Sequence, residues 1–317
     1  MVFFFTNQEY YTTYNKKKKG IFLKMDNILE KLTSEREDNY KKYLRIMSSS
    51  FYKSSKKMIP FFATNRKRIL DVGCGSGILV ENIRQADKSC YILGIDLNEN
   101  AINECNKKDI ENAFFEKISL EDLALEIESG RREAFDCILF SSVLHEFSSY
   151  AKDKNIRYTK KPIEEAVNCA KKCLSKDGII VIRDGLKESK TNFIELTFKN
   201  EDGLEFLEKF KEEFHRDIYI KKENNKLFLK ATDLKEFLFT YTWGWGSFNR
   251  EVKEQFGILS KKEWKQIIKS SNLEITAFQT FEEEYLKYLD EKIEINDGIE
   301  GIFKESVIFI VAKNRND

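Results

Sequence analysis

Residues 68–77, RILDVGCGSG, constrain the fold more than any other stretch of this chain. A short apolar run carries the acid Asp71 and enters a loop with glycines at 73, 75 and 77, and the following ILVENIRQA has the pattern of a helix. Strand, glycine loop and helix in that order are how an open parallel sheet offers backbone N–H groups and a helix N-terminus to a nucleotide-like ligand. Glycine is needed because a side chain would block the ligand's close approach and resist the positive φ angles of such a turn.

From Arg68 onward, short apolar runs alternate with amphipathic ones, the rhythm of repeated β-α units and a parallel sheet. This pattern predicts strands at 68–72, 89–96, 113–118, 135–142 and 178–184, with helices at 78–86, 98–107, 120–128 and 162–174. After Gly185 the pattern loosens. Residues 186–260 read as a helical insertion, in which KLFLKAT is either a short strand or the run into a helix. SKKEWKQIIKSS then predicts a helix capped by Ser260. LEITAFQTFEE and ESVIFIVAKN predict two late strands, paired antiparallel at the sheet edge. Residues 1–62 read as a helical N-terminal extension, either packed on the main domain of 63–317 or closing over a ligand as a lid.

Composition narrows the partners. With 54 basic and 53 acidic residues the formal charge is +1, so no global field draws the chain to nucleic acid or anionic lipid. No run approaches the roughly 18 apolar residues of a membrane span, and MVFFFT lacks the basic start of a signal peptide. Six cysteines without a C-x-x-C pair, and only His145 and His215, argue for reduced thiols, a cytoplasmic setting and no metal site.

LDVGCGSG, then GIDLNENAI, SLEDL, FDCILFSSVLHEF and KDGIIVIRD, resemble in kind and order the motifs of class I S-adenosylmethionine-dependent methyltransferases. The resemblance implies an α/β, Rossmann-like fold: a seven-stranded, mostly parallel sheet flanked by helices. It implies S-adenosyl-L-methionine as cofactor, leaving as S-adenosyl-L-homocysteine. Carried over by position, Asp71, Gly73 and Gly75 would face the amino acid end of the cofactor, and Asp96 would accept the ribose hydroxyls. Leu97 would lie on the adenine. Ser119 and Leu120 stand where such enzymes often place an acid and a small residue to read the adenine amino group, so Glu121, Asp122 or the backbone is left to take that contact. Ser141, ending the fourth strand, would sit where donor and acceptor meet. His145 is the candidate general base, since an unperturbed imidazole titrates near neutrality, and Glu146 is the second candidate.

The acceptor side is expected in the less regular parts. Tyr241, Trp243 and Trp245, in FLFTYTWGWGSFNREV, are read as an aromatic wall for a planar or cationic acceptor, with Arg183 or Arg250 pairing an anionic group. The expected reaction is methyl transfer to an oxygen or nitrogen of a small molecule. An RNA or protein acceptor is the alternative, docked along the lysine-rich arm at 16–19 and Lys56, Lys57, Arg66, Lys67 and Arg68. A non-catalytic cofactor-binding subunit is the third reading.

Overall fold

A computed structural model of the chain describes residues 55–224, 226–282, 289–296 and 304–315. Most of the expected N-terminal extension, including the lysine-rich arm, lies outside them. A 3-10 turn at Ser55–Met58 leads into α1 (Ile59–Ala63). The main sheet follows as β1 (Arg68–Val72), β2 (Tyr91–Ile95), β3 (Ala113–Glu116), β4 (Phe135–Ser141) and β5 (Leu174–Gly185). Its connecting helices are α2 (Ile78–Ala86), α3 (Glu99–Asn106), α4 (Leu120–Glu128), α5 (Leu144–Ser149) and α6 (Lys160–Lys172). Side-chain caps start several of these helices: Asn98 Oδ1 accepts from Asn100 N at 2.9 Å, and Ser119 Oγ from Asp122 N at 3.0 Å.

Two strands pair after the insertion. β9 (Leu273–Phe281) and β11 (Val307–Asn314) are antiparallel to each other, and β11 lies between β5 and β9. The sheet order is β3-β2-β1-β4-β5-β11-β9, seven strands with one reversed. The inner strands β1, β2, β4, β5 and β11 bury both faces over most of their length, which is why these runs read as continuously apolar. Leu70, Val72, Ile138 and Ile180 pack with Ile163, Val167 and Trp264 in one core, and Ile69, Cys137 and Val181 pack with Ile59, Leu79 and Ile83 in the other. The chain leaves β1 toward β2 on one side and returns to β4 on the other, so the crevice at their carboxyl ends is the topological switch point of the sheet.

The insertion is not only helical. β6 (Phe193–Phe198), β7 (Ile220–Glu223) and β8 (Lys226–Lys230) form an antiparallel sheet, and α7 (Asp202–Glu213) and α8 (Ala231–Trp243) pack on it. A distant strand, β10 (Ile293–Ile295), adds to the edge of β6 from between β9 and β11. The physical reason lies in the alternation of FIELTF, where Ile194 and Leu196 point inward, and of KLFLK, where Leu227 and Leu229 do the same. Asn224, with φ of 45°, supplies the left-handed residue of the β7–β8 turn.

This lobe has its own core, built around Phe206. Its ring meets Tyr241 at 4.9 Å, Phe248 at 5.0 Å and Trp245 at 4.7 Å between centroids. Tyr241 is therefore a core residue, 1% exposed and stacked on Phe237, which corrects its expected place in an acceptor wall. After the short α9 (Phe248–Glu251), residues 252–259 run back over the end of β5, and α10 (Lys261–Ser270) begins with a capping box between Ser260 and Glu263. At Gly185 a Cβ would lie 2.1 Å from the carbonyl oxygen of Phe256, so the two backbones touch at this crossing.

Candidate active site

The glycine loop is pinned to β2. Gly73 N and Cys74 N donate to the carbonyl of Ile95 at 2.8 and 3.0 Å, and Gly75 N donates to Asp96 Oδ2 at 3.0 Å. Asn98 N donates to Asp96 Oδ1 at 2.8 Å, so two backbone N–H groups fix the orientation of this carboxylate at the end of β2. Gly73, Gly75 and Gly77 all have positive φ, and a Cβ on Gly73 would stand 2.4 Å from the Val143 side chain. A side chain at Gly73 would require the chain after β4 to move.

Asp71 lies beneath the loop, 1% exposed, with Oδ2 buried and without a hydrogen-bond partner. Burial, and then the nearby charge of Asp96, push its carboxyl up to about 8. An orphaned carboxyl oxygen under a glycine cradle suits a ligand that brings a cation. Leu97, 70% exposed beside Asp96, offers the open apolar face that a flat base would cover. These residues fit a cofactor with an ammonium, ribose hydroxyls and a base. Ser119 and Leu120 are placed differently from expectation: the Ser119 hydroxyl is taken up by Asp122 as the α4 cap, and Leu120 is buried in the core.

At the end of β4, half-buried Ser141 pairs in register with Arg183 of β5, and Ser142 takes a left-handed φ of 59°. Strained non-glycine backbone of this kind persists where surrounding contacts hold it. Here Ser142 N donates to the Arg183 carbonyl at 2.7 Å, and Arg183 Nη1 donates to Ser142 Oγ. Arg183 is 3% exposed and braces the strained turn from inside. Trp243 is half-buried at the end of α8, and Trp245 is 45% exposed against Phe206 and Phe248.

His145 sits in a buried polar cluster that joins the main sheet to the lobe. Its Nδ1 is 2.7 Å from Asp184 Oδ1, its Nε2 is 3.4 Å from Glu254 Oε2, and its backbone N donates to Asp184 Oδ2. Burial alone would lower the imidazole pKa, but the charges and hydrogen bonds of Asp184 and Glu254 outweigh it and hold the value well above the ordinary one. Both ring nitrogens of His145 therefore face carboxylates. Arg250 bridges Glu146 Oε1 at 3.1 Å and Glu254 Oε1 at 3.3 Å, and Tyr150 Oη donates to Glu254 Oε1 at 3.0 Å. Burial, with the charge of Glu254, pushes Glu146 up to about 7.

Asp184, Tyr150 and Glu254 were absent from the expected site. Asp184 had a signal, since RD closes an apolar strand. Glu254 had none, because it reaches the cluster only through the return of the insertion.

The sequence matches the methyltransferase-domain family over residues 43–277, about three quarters of the 317. The chain belongs to that family. With the seven-stranded sheet, it is a class I S-adenosylmethionine-dependent methyltransferase. Over 76 residues it is 34% identical to a ubiquinone biosynthesis O-methyltransferase of Acinetobacter baylyi, covering 23% of this chain and 31% of that one. Over 87 residues it is 37% identical to a ribosomal protein L11 methyltransferase of Aquifex aeolicus, covering 27% and 32%. The methyltransferase thus spans about a third of the length of the curated relatives it matches. Magnesium protoporphyrin IX methyltransferase from Synechocystis superposes with a TM-score of 0.46 at 11% identity, covering 92% of this chain and 95% of that one. Among the described residues no helix is long and apolar enough to cross a membrane.

Proposed function

We propose that this methyltransferase acts on an oxygen or nitrogen of a small molecule, with the lobe formed by residues 186–260 and β10 as the cap on the acceptor side. The observation that carries this reading is the tie between the lobe and the carboxyl ends of β4 and β5. Glu254 meets His145, Arg250 meets Glu146, and Gln255 N donates to Ser149 Oγ at 3.0 Å. On the lobe side, Glu236 accepts from Phe256 N at 2.8 Å and Gly257 N at 2.9 Å, which fixes the crossing strap. A roof held this firmly favours a compact acceptor over an extended polymer. The near-zero charge and the O-methyltransferase relative point the same way.

In this reading Asp71, Gly73, Gly75, Asp96 and Leu97 hold the cofactor, with Ser141 and the backbone at Ser119 and Leu120 bordering it. Trp243 and Trp245 border the acceptor. The cofactor supplies a methyl group on a positively charged sulfur. The chain's own contribution is to hold donor and acceptor in line, an effect that accounts for much of the acceleration in a displacement of this kind.

A labelled methyl transfer assay tests the proposal, run against cell extract separated into small-molecule, RNA and protein fractions. Label is expected in the small-molecule fraction. Incorporation confined to RNA or protein would overturn the reading in favour of a macromolecular acceptor, the class to which the ribosomal protein relative's substrate belongs.

A further inference from the structure

His145, Glu146 and Glu254 bring one ring nitrogen and two carboxylate oxygens within 4.8 Å of one another, the one such trio of potential metal ligands among the described residues. Their arrangement has more than proximity. His145 Nδ1 is held by Asp184 Oδ1 at 2.7 Å, which leaves Nε2 pointing at Glu254. A carboxylate on one imidazole nitrogen is the support that metal-bound histidines nearly always have on the nitrogen away from the ion. Two ligand atoms about 2.1 Å from a tetrahedral metal stand about 3.4 Å apart, and Nε2 lies 3.4 Å from Glu254 Oε2.

Arg250 and Tyr150 take the other oxygen, Oε1, of Glu254, and Arg250 also takes Oε1 of Glu146. These contacts fix both glutamates while Glu254 Oε2 keeps facing the histidine. A separate observation concerns a neighbouring carboxyl group. Glu251, 1% exposed, keeps Oε1 buried and without a hydrogen-bond partner, and the charges around it are those of Glu254, Arg250, Glu146 and His145. Glu251 thus adds a fourth carboxyl group to those of Asp184, Glu146 and Glu254 in the same buried cluster.

We infer that His145 Nε2, Glu146 and Glu254 form a binding site for a divalent first-row transition metal ion, with Asp184 and Arg250 orienting the ligands and the buried carboxyl group of Glu251 beside them. One nitrogen with carboxylate oxygens suits Mn²⁺, Fe²⁺, Co²⁺ or Zn²⁺ better than Ca²⁺ or Mg²⁺, which prefer oxygen alone. The site lies at the carboxyl ends of β4 and β5, so the ion would serve as a Lewis acid toward an oxygen acceptor. That use rests on the acceptor-side reading above, whereas metal binding itself needs no acceptor, so the two can fail separately.

The test uses the full chain, stripped with a chelator and titrated with Mn²⁺ followed by electron paramagnetic resonance, and with Co²⁺ followed by visible absorption. One ion per chain is expected. Glu254→Gln and Glu146→Gln should each weaken binding by about 10-fold or more, with circular dichroism and S-adenosylmethionine affinity unchanged. His145→Gln provides a further variant should one glutamate substitution fail to fold. Absence of saturable binding of either ion to the wild-type chain would overturn the inference. So would unchanged affinity in every folded variant of the trio.

Discussion

The two ends of the active-site crevice are built by opposite strategies. The donor end is local: β1, its loop, α2 and the end of β2 occupy residues 68–98, and the hydrogen bonds that orient Asp96 come from Gly75 N and Asn98 N within that short span. The end proposed for the acceptor is assembled from far-apart pieces. His145 meets Asp184 across 39 residues, Arg250 meets Glu146 across 104, and β10 crosses from residue 293 to pair with β6. A ligand common to many enzymes can be held by a compact motif, while the part that selects an acceptor is free to be composed from insertions. The comparison also implies that the ends can be damaged one at a time.

The largest effect is expected from Phe206→Ala, which empties the centre of the lobe's aromatic core and should cost about 3–5 kcal/mol. Denaturant unfolding should show a lobe transition at lower denaturant, with cofactor affinity in the remaining folded protein within about twofold of wild type. Loss of cofactor binding in parallel would break the separation between the two ends. Asp96→Ala is the converse experiment, with Gly75→Val beside it. Each should weaken cofactor binding by about 100-fold, ~2.8 kcal/mol, while the lobe unfolds as before. Calorimetric affinity close to wild type in either variant would remove the loop and Asp96 from the donor site.

A smaller effect concerns pH. Asp71 is raised from 3.8 to about 8 by burial, so the folded apo chain keeps a proton that the unfolded chain releases. Its contribution to stability is full at low pH and declines as pH rises through that window toward about 8. A cofactor ammonium beside Asp71 would favour the carboxylate and offset this loss. Stabilisation by S-adenosylmethionine in thermal melts should therefore grow between about pH 6 and pH 8 and be accompanied by proton release. A flat profile in the wild type, matched by Asp71→Asn, would count against contact with the ammonium.

The smallest effect belongs to His215, in the lobe and stacked on Tyr158 at 3.5 Å, where burial lowers its pKa from 6.5 to about 4. Its neutral form stabilises the fold fully above 6.5, and that contribution is lost as pH falls toward about 4. Hydrogen exchange below that point should quicken around Tyr158 and His215 before it changes in β1 and β2. Equal protection at both places would show one cooperative unit.

The same contrast explains what could be read from the chain alone. β1, α2 and α4 fall on the expected residues because strand and helix periods change within a few positions and Gly73 to Gly77 mark the loop. β5 begins at Leu174, earlier than 178, because Leu174 pairs with Phe135 ahead of an irregularity in the register. The lobe's sheet is harder to read, since FIELTF alternates over only six residues and β10, three residues long, carries no period at all. The surroundings of His145 were not legible, since Asp184 and Glu254, which face its two ring nitrogens, are brought to it by tertiary structure.

The brief pairing of β10 with β6 has a consequence for any redesign of acceptor preference. The lobe is fastened by two separate excursions of the backbone, one leaving after β5 and the other after β9. Exchanging residues 186–260 for the corresponding part of another enzyme would leave Ile293–Ile295 without its template and the new sheet with a bare edge, an invitation to pair with a second molecule. A successful chimera must carry both excursions together.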